Sequence, residues 1–307
     1  MSASTSTIRI GSTAVPSCRR RARVIARQFE ASWPDVKVVI ATVGARPDRH
    51  PADAHSTARQ EESLHKALEA ALREDRIDLA VHSHSDLPLE ESPEFTFGAV
   101  PQRSDARDVL FSDDGLALAD LPADARIGAS GLCRLAQVRL ARPDARPVPL
   151  RGELKTQLDR LEAGEFDALV LALCDLQSLG LADRATQVLD YETMLPAAGQ
   201  GAIAVQCRAG DKKSLSLASV LHHPESWATV AAERAFLREL NAGVDPPVGA
   251  YAEVSGFNLR LTGLIVPGGG SRPIRVSMRG LFYDPAAVGE TLAQKALALG
   301  AGKLLEA

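Results

Sequence analysis

The sequence has few of the residues that mark metal-binding, secreted or membrane-spanning proteins. Its 307 residues include four cysteines, which show no CxxC spacing and no grouping with histidine. This argues against structural zinc and favours free thiols in a reducing compartment. No stretch approaches the length needed to span a bilayer, and Met1 to Thr7 lack the basic and apolar regions of a signal peptide. We therefore expect a cytoplasmic protein that has no membrane partner.

The chain also lacks an excess of positive charge. It has 35 Lys and Arg residues against 39 Asp and Glu residues, so its formal net charge is -4. The field of such a molecule does not attract nucleic acid or an anionic membrane. The basic run Arg19 to Arg21 has no interleaved aromatic residues and is interpreted as a solvated helix face. We expect no nucleic-acid partner, whereas a local site for a small anionic molecule stays open.

Hydrophobic patterning predicts an α/β fold. Over the first two thirds, short apolar runs alternate with helical patterns, as in βαβ units around largely parallel sheets. After about Ser219 the pattern changes to a helix (226–240), three strands beginning near Tyr251, Asn258 and Ile274, and a final helix from Pro285, which indicates a small α+β domain. The strands predicted before it are 8–11, 36–43, 77–82, 109–112, 126–129, 166–173 and 202–208.

Composition also predicts where domains meet. Stretches rich in Pro, Gly and Asp at 101–108 and 194–201 suggest two crossings between a first and a second domain, and two crossings imply a hinge. The predicted domains are 1–102 with 197–218, then 103–196, then 219–307. The segment from Gly44 to Thr57 is predicted to be a long loop and a candidate lid.

Polar residues stand at the predicted strand ends. Asp86 follows an apolar strand, and α/β folds place ligands at the carboxyl ends of such strands. An aspartate that only caps a turn would also occur at this position. His82, His84 and Asp86 alternate and could share one face, but a satisfied buried histidine is the more ordinary interpretation, so no metal is predicted. Ser130 is interpreted as the N-cap of a helix. The free N–H groups of that helix could form an anion site together with Arg134, or Ser130 could simply cap them while Arg134 is a surface charge.

Two further segments carry candidate ligand contacts. Arg151-Gly152 precedes another helix and repeats the same anion-binding logic. Gln200 lies within Ala198-Gly199-Gln200-Gly201, where glycines permit hinge torsions and the amide could touch a ligand. The predicted binding residues are Ser83, Ser130, Arg134, Arg151, Gly152 and Gln200.

The run IDLAVHSHSDLP at Ile77 to Pro88 resembles the strand of the porphobilinogen deaminase (hydroxymethylbilane synthase) family that ends in a catalytic aspartate. The likeness continues, in the family's order and spacing, through IRIGSTAVP, VPQRSDARDVL, IGASGLCRLAQ, PLRGELKTQLDRLEAGEFDALVLA, LPAAGQGAIAVQCR, ERAFLREL and NAGVDPPVGAYAEV. The resemblance implies two hinged domains like those of periplasmic binding proteins, with mixed, largely parallel sheets, and a small C-terminal α+β domain. It implies that Asp86 is the catalytic residue, whose carboxylate stabilises cationic pyrrole nitrogens while porphobilinogen units are joined with loss of ammonia.

The sequence departs from the family in the loop that carries the cofactor. By resemblance, a cysteine in a Gly-Gly-Cys loop holds a dipyrromethane through a thioether. Here the loop reads Ala242-Gly243-Val244, and valine cannot form a thioether. We therefore expect the cofactor-attachment position, Val244, to be lost, and the chain to carry no dipyrromethane and no other cofactor.

The second departure concerns charge. Arg134 and Arg151 are retained, whereas six positions that resemble cationic positions of the family have lost their charge or reversed it: Thr13, Glu61, Ser85, Cys133, Gln157 and Ser178. Since the pyrrole units of the family carry carboxylates that need cationic partners, the loss predicts a smaller anionic substrate.

These features lead to a predicted function with two alternatives. The main prediction is a monomeric enzyme of porphobilinogen deaminase ancestry that is repurposed for ammonia elimination or condensation on a small anionic substrate, with a pyrrole among the candidates. The first alternative is an authentic hydroxymethylbilane synthase of tetrapyrrole biosynthesis, and the second is a non-catalytic ligand-binding protein.

Overall fold

The computed structural model describes residues 6–44, 54–243, 245–267 and 272–305. Its strands, in chain order, are β1 (Ser6–Ser12), β2 (Val36–Thr42), β3 (Leu79–Ser83), β4 (Phe95–Ala99), β5 (Asp108–Ser112), β6 (Arg126–Ala129), β7 (Arg146–Pro149), β8 (Ala168–Ala172), β9 (Gln187–Val188), β10 (Ile203–Arg208), β11 (Val248–Ser255), β12 (Asn258–Ile265) and β13 (Ile274–Leu281). Its helices are α1 (Pro16–Ser32), α2 (Ala54–Arg73), α3 (Leu132–Ala141), α4 (Leu154–Glu162), α5 (Leu173–Leu179), α6 (Lys212–Ser219), α7 (Pro224–Glu239), α8 (Pro285–Ala298) and α9 (Ala301–Leu305).

The chain divides by its contacts into two compact units. The first unit comprises Met1–Arg103 and Ala202–Trp227, and the second comprises Ser104–Gly201 and Ala228–Ala307. The chain therefore passes from one unit to the other after residues 103, 201 and 227. The finer division into three domains stays a prediction.

A mixed sheet of order β2-β1-β3-β10-β4 forms the first unit. β1 runs parallel to β2 and β3, and β10 runs antiparallel to β3 and β4. One face packs Leu79 and Val81 against Phe29 of α1, and the other packs Ala80 against Leu72 of α2. Because strand side chains alternate, consecutive residues of β3 serve opposite faces of the sheet.

The second unit contains two sheets. One has the order β7-β6-β8-β5-β9, in which β6 is parallel to β7 and β8 while β5 is antiparallel to β8 and β9. The other is the antiparallel sheet β11-β12-β13. Its β13 packs on α8, where Gly280 leaves room for Val288 because a Cβ at residue 280 would lie 2.4 Å from the valine Cγ2. The predicted α/β class with a C-terminal α+β part is confirmed.

The structure also corrects details of the sequence prediction. The predicted strands are all present with slightly different ends, whereas β4, β7 and β9 were not predicted. The candidate lid, Gly44 to Thr57, lies mostly outside the described residues, and its last four residues already belong to α2. Within the described parts of the chain, no helix has the length and apolar character required to cross a membrane.

Candidate active site

The turn that carries Asp86 begins where β3 ends. Ser83, the last residue of the strand, pairs with Ile203 of β10, and the His84 N–H then donates to the Ala202 carbonyl at 2.9 Å. Residues His84–Asp86 form a single 3₁₀ turn directly after this bond. The turn lifts Asp86 out of the sheet, so that 39% of its side chain is exposed at the carboxyl end of the strand.

Both carboxylate oxygens of Asp86 have partners within the first unit. The Ser85 hydroxyl donates to Oδ1 at 2.9 Å, and the Ser85 and Ser83 hydroxyl oxygens lie 2.9 Å apart. Arg21 of α1 places its Nη2 3.5 Å from Oδ2. The interpretation of Arg19 to Arg21 as a solvated face is therefore wrong for Arg21, whose side chain is only 18% exposed. Ser83, a predicted binding residue, belongs to this hydroxyl chain.

The two histidines of the same motif lead away from Asp86. The Nε2 atom of His82 lies 3.1 Å from Gln206 Oε1, and its ring packs edge-on against that of His65 from α2. Burial, assisted by the charge of His65, lowers the pKa of His82 to about 3, so this ring is neutral at physiological pH. The His84 ring packs against Phe97. The 3₁₀ turn thus ends the alternation that suggested a shared face, and the described residues contain no group of three or more His, Cys, Asp or Glu that could hold a metal.

In the second unit, three predicted binding residues meet around a carboxylate that the sequence analysis did not single out. Asp108 is fully buried on β5, and Arg134 of α3 binds it through Nε at 3.1 Å and Nη2 at 3.0 Å. Arg134 also donates to the Ser130 hydroxyl and to Gln200 Oε1. Burial disfavours the charged form of Arg134 and lowers its pKa. The charge and the hydrogen bond of Asp108 together have the larger effect, so the pKa of the guanidinium is raised. Arg134 therefore has a structural role, and its contact with a ligand stays a prediction.

Gln200 is held equally firmly. Its amide Nε2 donates to the Ala106 carbonyl at 2.7 Å and to Asp108 Oδ1 at 2.8 Å. The preceding Gly199 N–H donates to the buried carboxylate of Glu233, which also accepts from the Ala252 N–H. These bonds favour a backbone role for the segment over a ligand contact of the amide.

The N-terminus of α3 differs from the prediction. Its N-cap is Gly131, with a φ of 85° and no side-chain cap, so Ser130 does not cap the helix. The first helical N–H, that of Leu132, instead donates to the Asp245 carboxylate, with Oδ1 at 3.2 Å. Asp245 is an exposed residue, but partial desolvation of its carboxylate at the helix end raises its pKa, against the opposing effects of the Leu132 N–H and Arg134. An internal carboxylate thus occupies the end of α3 where an external anion was predicted.

Asp245→Asn is expected to stabilise the protein at neutral pH. An acid whose pKa is raised by folding contributes stability below its unfolded pKa and loses that contribution as pH rises through its folded pKa. Asparagine can still accept the Leu132 bond, and it avoids the desolvation of a charge. The free energy of unfolding of the variant should therefore increase relative to that of the wild type as pH rises above about 3.8, the ordinary pKa of an aspartate. Denaturant unfolding at pH 3.5, 5 and 7 measures this, and a pH-independent difference would contradict it.

The Arg151 region forms a separate local structure. Gly152 adopts a φ of 94°, and its carbonyl accepts a hydrogen bond from Gln157 Nε2 at 2.8 Å. Gln157 is one of the six positions that lost a cation, and its amide now closes the turn before α4. The binding roles of Arg151 and Gly152 stay predictions.

The other altered positions make neutral local contacts. Thr13 is buried and accepts from the Val15 N–H, while the Ser178 hydroxyl donates to the Asp175 carbonyl. Cys133 is buried beside Gln137, and burial raises the pKa of its thiol to about 12. The side chain of Glu61 lies outside the described residues.

The comparisons with known proteins identify the family. The family model for the porphobilinogen deaminase dipyrromethane cofactor binding domain matches residues 8–216, and that for the porphobilinogen deaminase C-terminal domain matches residues 227–298. The chain belongs to the porphobilinogen deaminase family. Porphobilinogen deaminase of Moorella thermoacetica is 38% identical over 97% of this chain and 96% of its own length, and that of Syntrophotalea carbinolica is 37% identical over 99% and 96%. This family consists of transferases that make hydroxymethylbilane for tetrapyrrole biosynthesis.

The comparison with solved structures gives distant matches. A Bacillus subtilis amino-acid ABC transporter extracellular-binding protein matches with a TM-score of 0.39 and 12% identity over 71% of this chain and 91% of its own. The two α/β parts of this chain have mixed sheets with parallel ladders around β1 and β6, which agrees with the predicted α/β class.

The prediction that the chain has no dipyrromethane cofactor is wrong. The domain that spans residues 8–216 is the family's dipyrromethane cofactor binding domain, and relatives near 38% identity are porphobilinogen deaminases. The prediction followed from Val244, which lies outside the described residues. Residue 244 has no sulfur for a thioether. Burial raises the pKa of the Cys133 and Cys207 thiols to about 12 and about 11, whereas Cys18 and Cys174 are only partly buried.

Proposed function

We propose that this protein is a hydroxymethylbilane synthase that joins porphobilinogen units into a linear tetrapyrrole with release of ammonia. The observation that carries the proposal is the exposed Asp86 carboxylate at the end of β3, in the motif that resembles the family's catalytic strand. Family likeness over both the cofactor-binding and the C-terminal domains supports it.

Asp86 suits the chemistry of this reaction. Loss of ammonia from porphobilinogen leaves a cationic azafulvenium, and a nearby carboxylate stabilises the positive charge as it develops. The pyrrole carbon that attacks then loses a proton, which a carboxylate accepts or directs. Ser85 already holds one oxygen of Asp86, so little reorganisation is needed when the charge forms.

The comparisons favour this alternative over a repurposed enzyme. The prediction of a repurposed enzyme rested on Val244 and on six altered cationic positions. The five of these positions with described side chains make local hydrogen bonds. Relatives that match nearly the whole chain are porphobilinogen deaminases, and no comparison points to another reaction. The monomeric state and the cytoplasmic location stay predictions.

Incubation with porphobilinogen tests the proposal directly. We expect the purified protein to consume porphobilinogen, release one ammonia for each pyrrole joined, and yield a linear tetrapyrrole detectable by mass spectrometry. The matched background is Asp86→Asn, which keeps the shape of the side chain. A product with a single pyrrole ring would favour the repurposed enzyme, and an unchanged substrate would contradict the proposal.

A further inference from the structure

Arg21 is directed inward from α1, next to a second partly buried arginine, Arg20. Its neighbours Arg19 and Arg23 on α1 are exposed, whereas Arg21 retains 18% of its side-chain exposure. Its Nη2 lies 3.4 Å from Cys18 Sγ and 3.5 Å from Asp86 Oδ2. One nitrogen thus joins α1 to the turn after β3. Asp86 follows a strand and Arg21 lies within a helix, so their contact arises from the tertiary fold and not from local sequence.

We propose that Arg21 is a positioning residue for the Asp86 carboxylate. Ser85 binds Oδ1 only, and a carboxylate held by one hydrogen bond can still turn about that bond. Arg21 binds the other oxygen, so that the two contacts together fix the orientation of the group. A fixed carboxylate stabilises a developing cation without first reorienting. The catalytic consequence of this role rests on the proposed function, whereas the structural role does not.

The surroundings of Asp86 strengthen the assignment. Thr13 and Ser85 occupy positions that resemble cationic positions of the family. Thr13 is buried and accepts from the Val15 N–H, and the uncharged Ser85 hydroxyl donates to the Asp86 carboxylate. Of the two side chains that hold the Asp86 carboxylate, Ser85 and Arg21, it is Arg21 that carries positive charge. It therefore places a cation beside the catalytic carboxylate from a different element of the fold.

Kinetics of Arg21 variants test the role in catalysis. Arg21→Gln should lower kcat for porphobilinogen about tenfold, which corresponds to the loss of a modest transition-state interaction, while KM changes less than about twofold. Arg21→Lys should recover part of kcat because it restores the charge without the planar fork. Added guanidinium ion should raise the activity of Arg21→Ala but not that of Asp86→Asn. Arg23→Gln, on the same helix, should match the wild type.

A second readout does not depend on turnover. Scalar couplings measured by NMR should report one χ1 rotamer for Asp86 in the wild type and in Arg23→Gln, and averaging between rotamers in Arg21→Gln. An inactive wild type would overturn the proposed function, and the couplings would still decide the role of Arg21. A single Asp86 rotamer in Arg21→Gln would overturn the inference, whatever happens to kcat. A folded Arg21→Gln variant with the kcat of the wild type would also overturn the inference.

Discussion

Asp86→Asn is expected to lower kcat for porphobilinogen about 10²- to 10³-fold, the range seen when one preorganised electrostatic group is removed from an active site. The amide keeps the size of the carboxylate and can accept the Ser85 hydrogen bond. It carries no negative charge, so it cannot stabilise an azafulvenium or accept the proton released when the bond forms. The loss should fall on kcat, because the missing interaction belongs to the transition state.

Glu90→Gln provides the matched control for this variant. Glu90 is exposed in the segment that follows Asp86, and its replacement removes the same charge with the same conservation of shape. Stopped assays of ammonia release should give wild-type rates for Glu90→Gln. Circular dichroism should show that Asp86→Asn remains folded, since Asp86 is exposed and belongs to no hydrophobic core. An unaffected kcat in Asp86→Asn would assign the chemistry to another residue.

Periodicity identified the central strands because they are the most apolar. β3 and β8 are buried over nearly their whole length, so their sequences are continuous hydrophobic runs. The strands that escaped prediction lie at sheet edges: β4, β7 and β9. β7 contains Pro147 and Pro149, which suit an edge strand but read as a turn in a sequence pattern.

The antiparallel strands could not be oriented from the sequence. β10 returns from a distant part of the chain and inserts between β3 and β4, running antiparallel to both. A short apolar stretch such as that of β10 indicates that a strand exists, but it does not indicate the direction of the neighbouring strands. The expectation of largely parallel sheets therefore holds for the ladders around β1 and β6, whereas the ladders of β10 and β5 are antiparallel.

The position of Asp86 was predictable because it depends on local sequence. It follows a strand directly, and the strand end defines where its side chain emerges. Arg21 and Asp245 depend instead on contacts between distant segments. The Asp245 carboxylate meets a helix that begins 113 residues earlier, and no spacing rule connects the two. A weak signal existed for Asp108, which lies in the quoted run VPQRSDARDVL, but its ion pair with Arg134 appears only in the fold.

Arg134→Met is expected to lower the free energy of unfolding by about 3 to 5 kcal/mol, the usual cost of removing one partner from a buried ion pair. Asp108 is 0% exposed, so its charge would lose its counterion without gaining water. Gln200 Oε1 and the Ser130 hydroxyl would lose their donor as well. Methionine fills a similar volume, so the effect arises mainly from the buried carboxylate and not from a cavity.

Two comparison variants separate the buried charge from other effects. Arg146→Met breaks the exposed pair with Asp124, whose side chains are 68% and 72% exposed, and should change stability far less. Adding Asp108→Asn to Arg134→Met removes the orphaned charge, so the double variant should unfold at a higher urea concentration than Arg134→Met alone. Circular dichroism is the suitable probe, because Trp33 and Trp227 both belong to the first unit and Arg134 to the second. A double variant that is less stable than Arg134→Met would show that the Asp108 carboxylate is stabilised by groups other than Arg134.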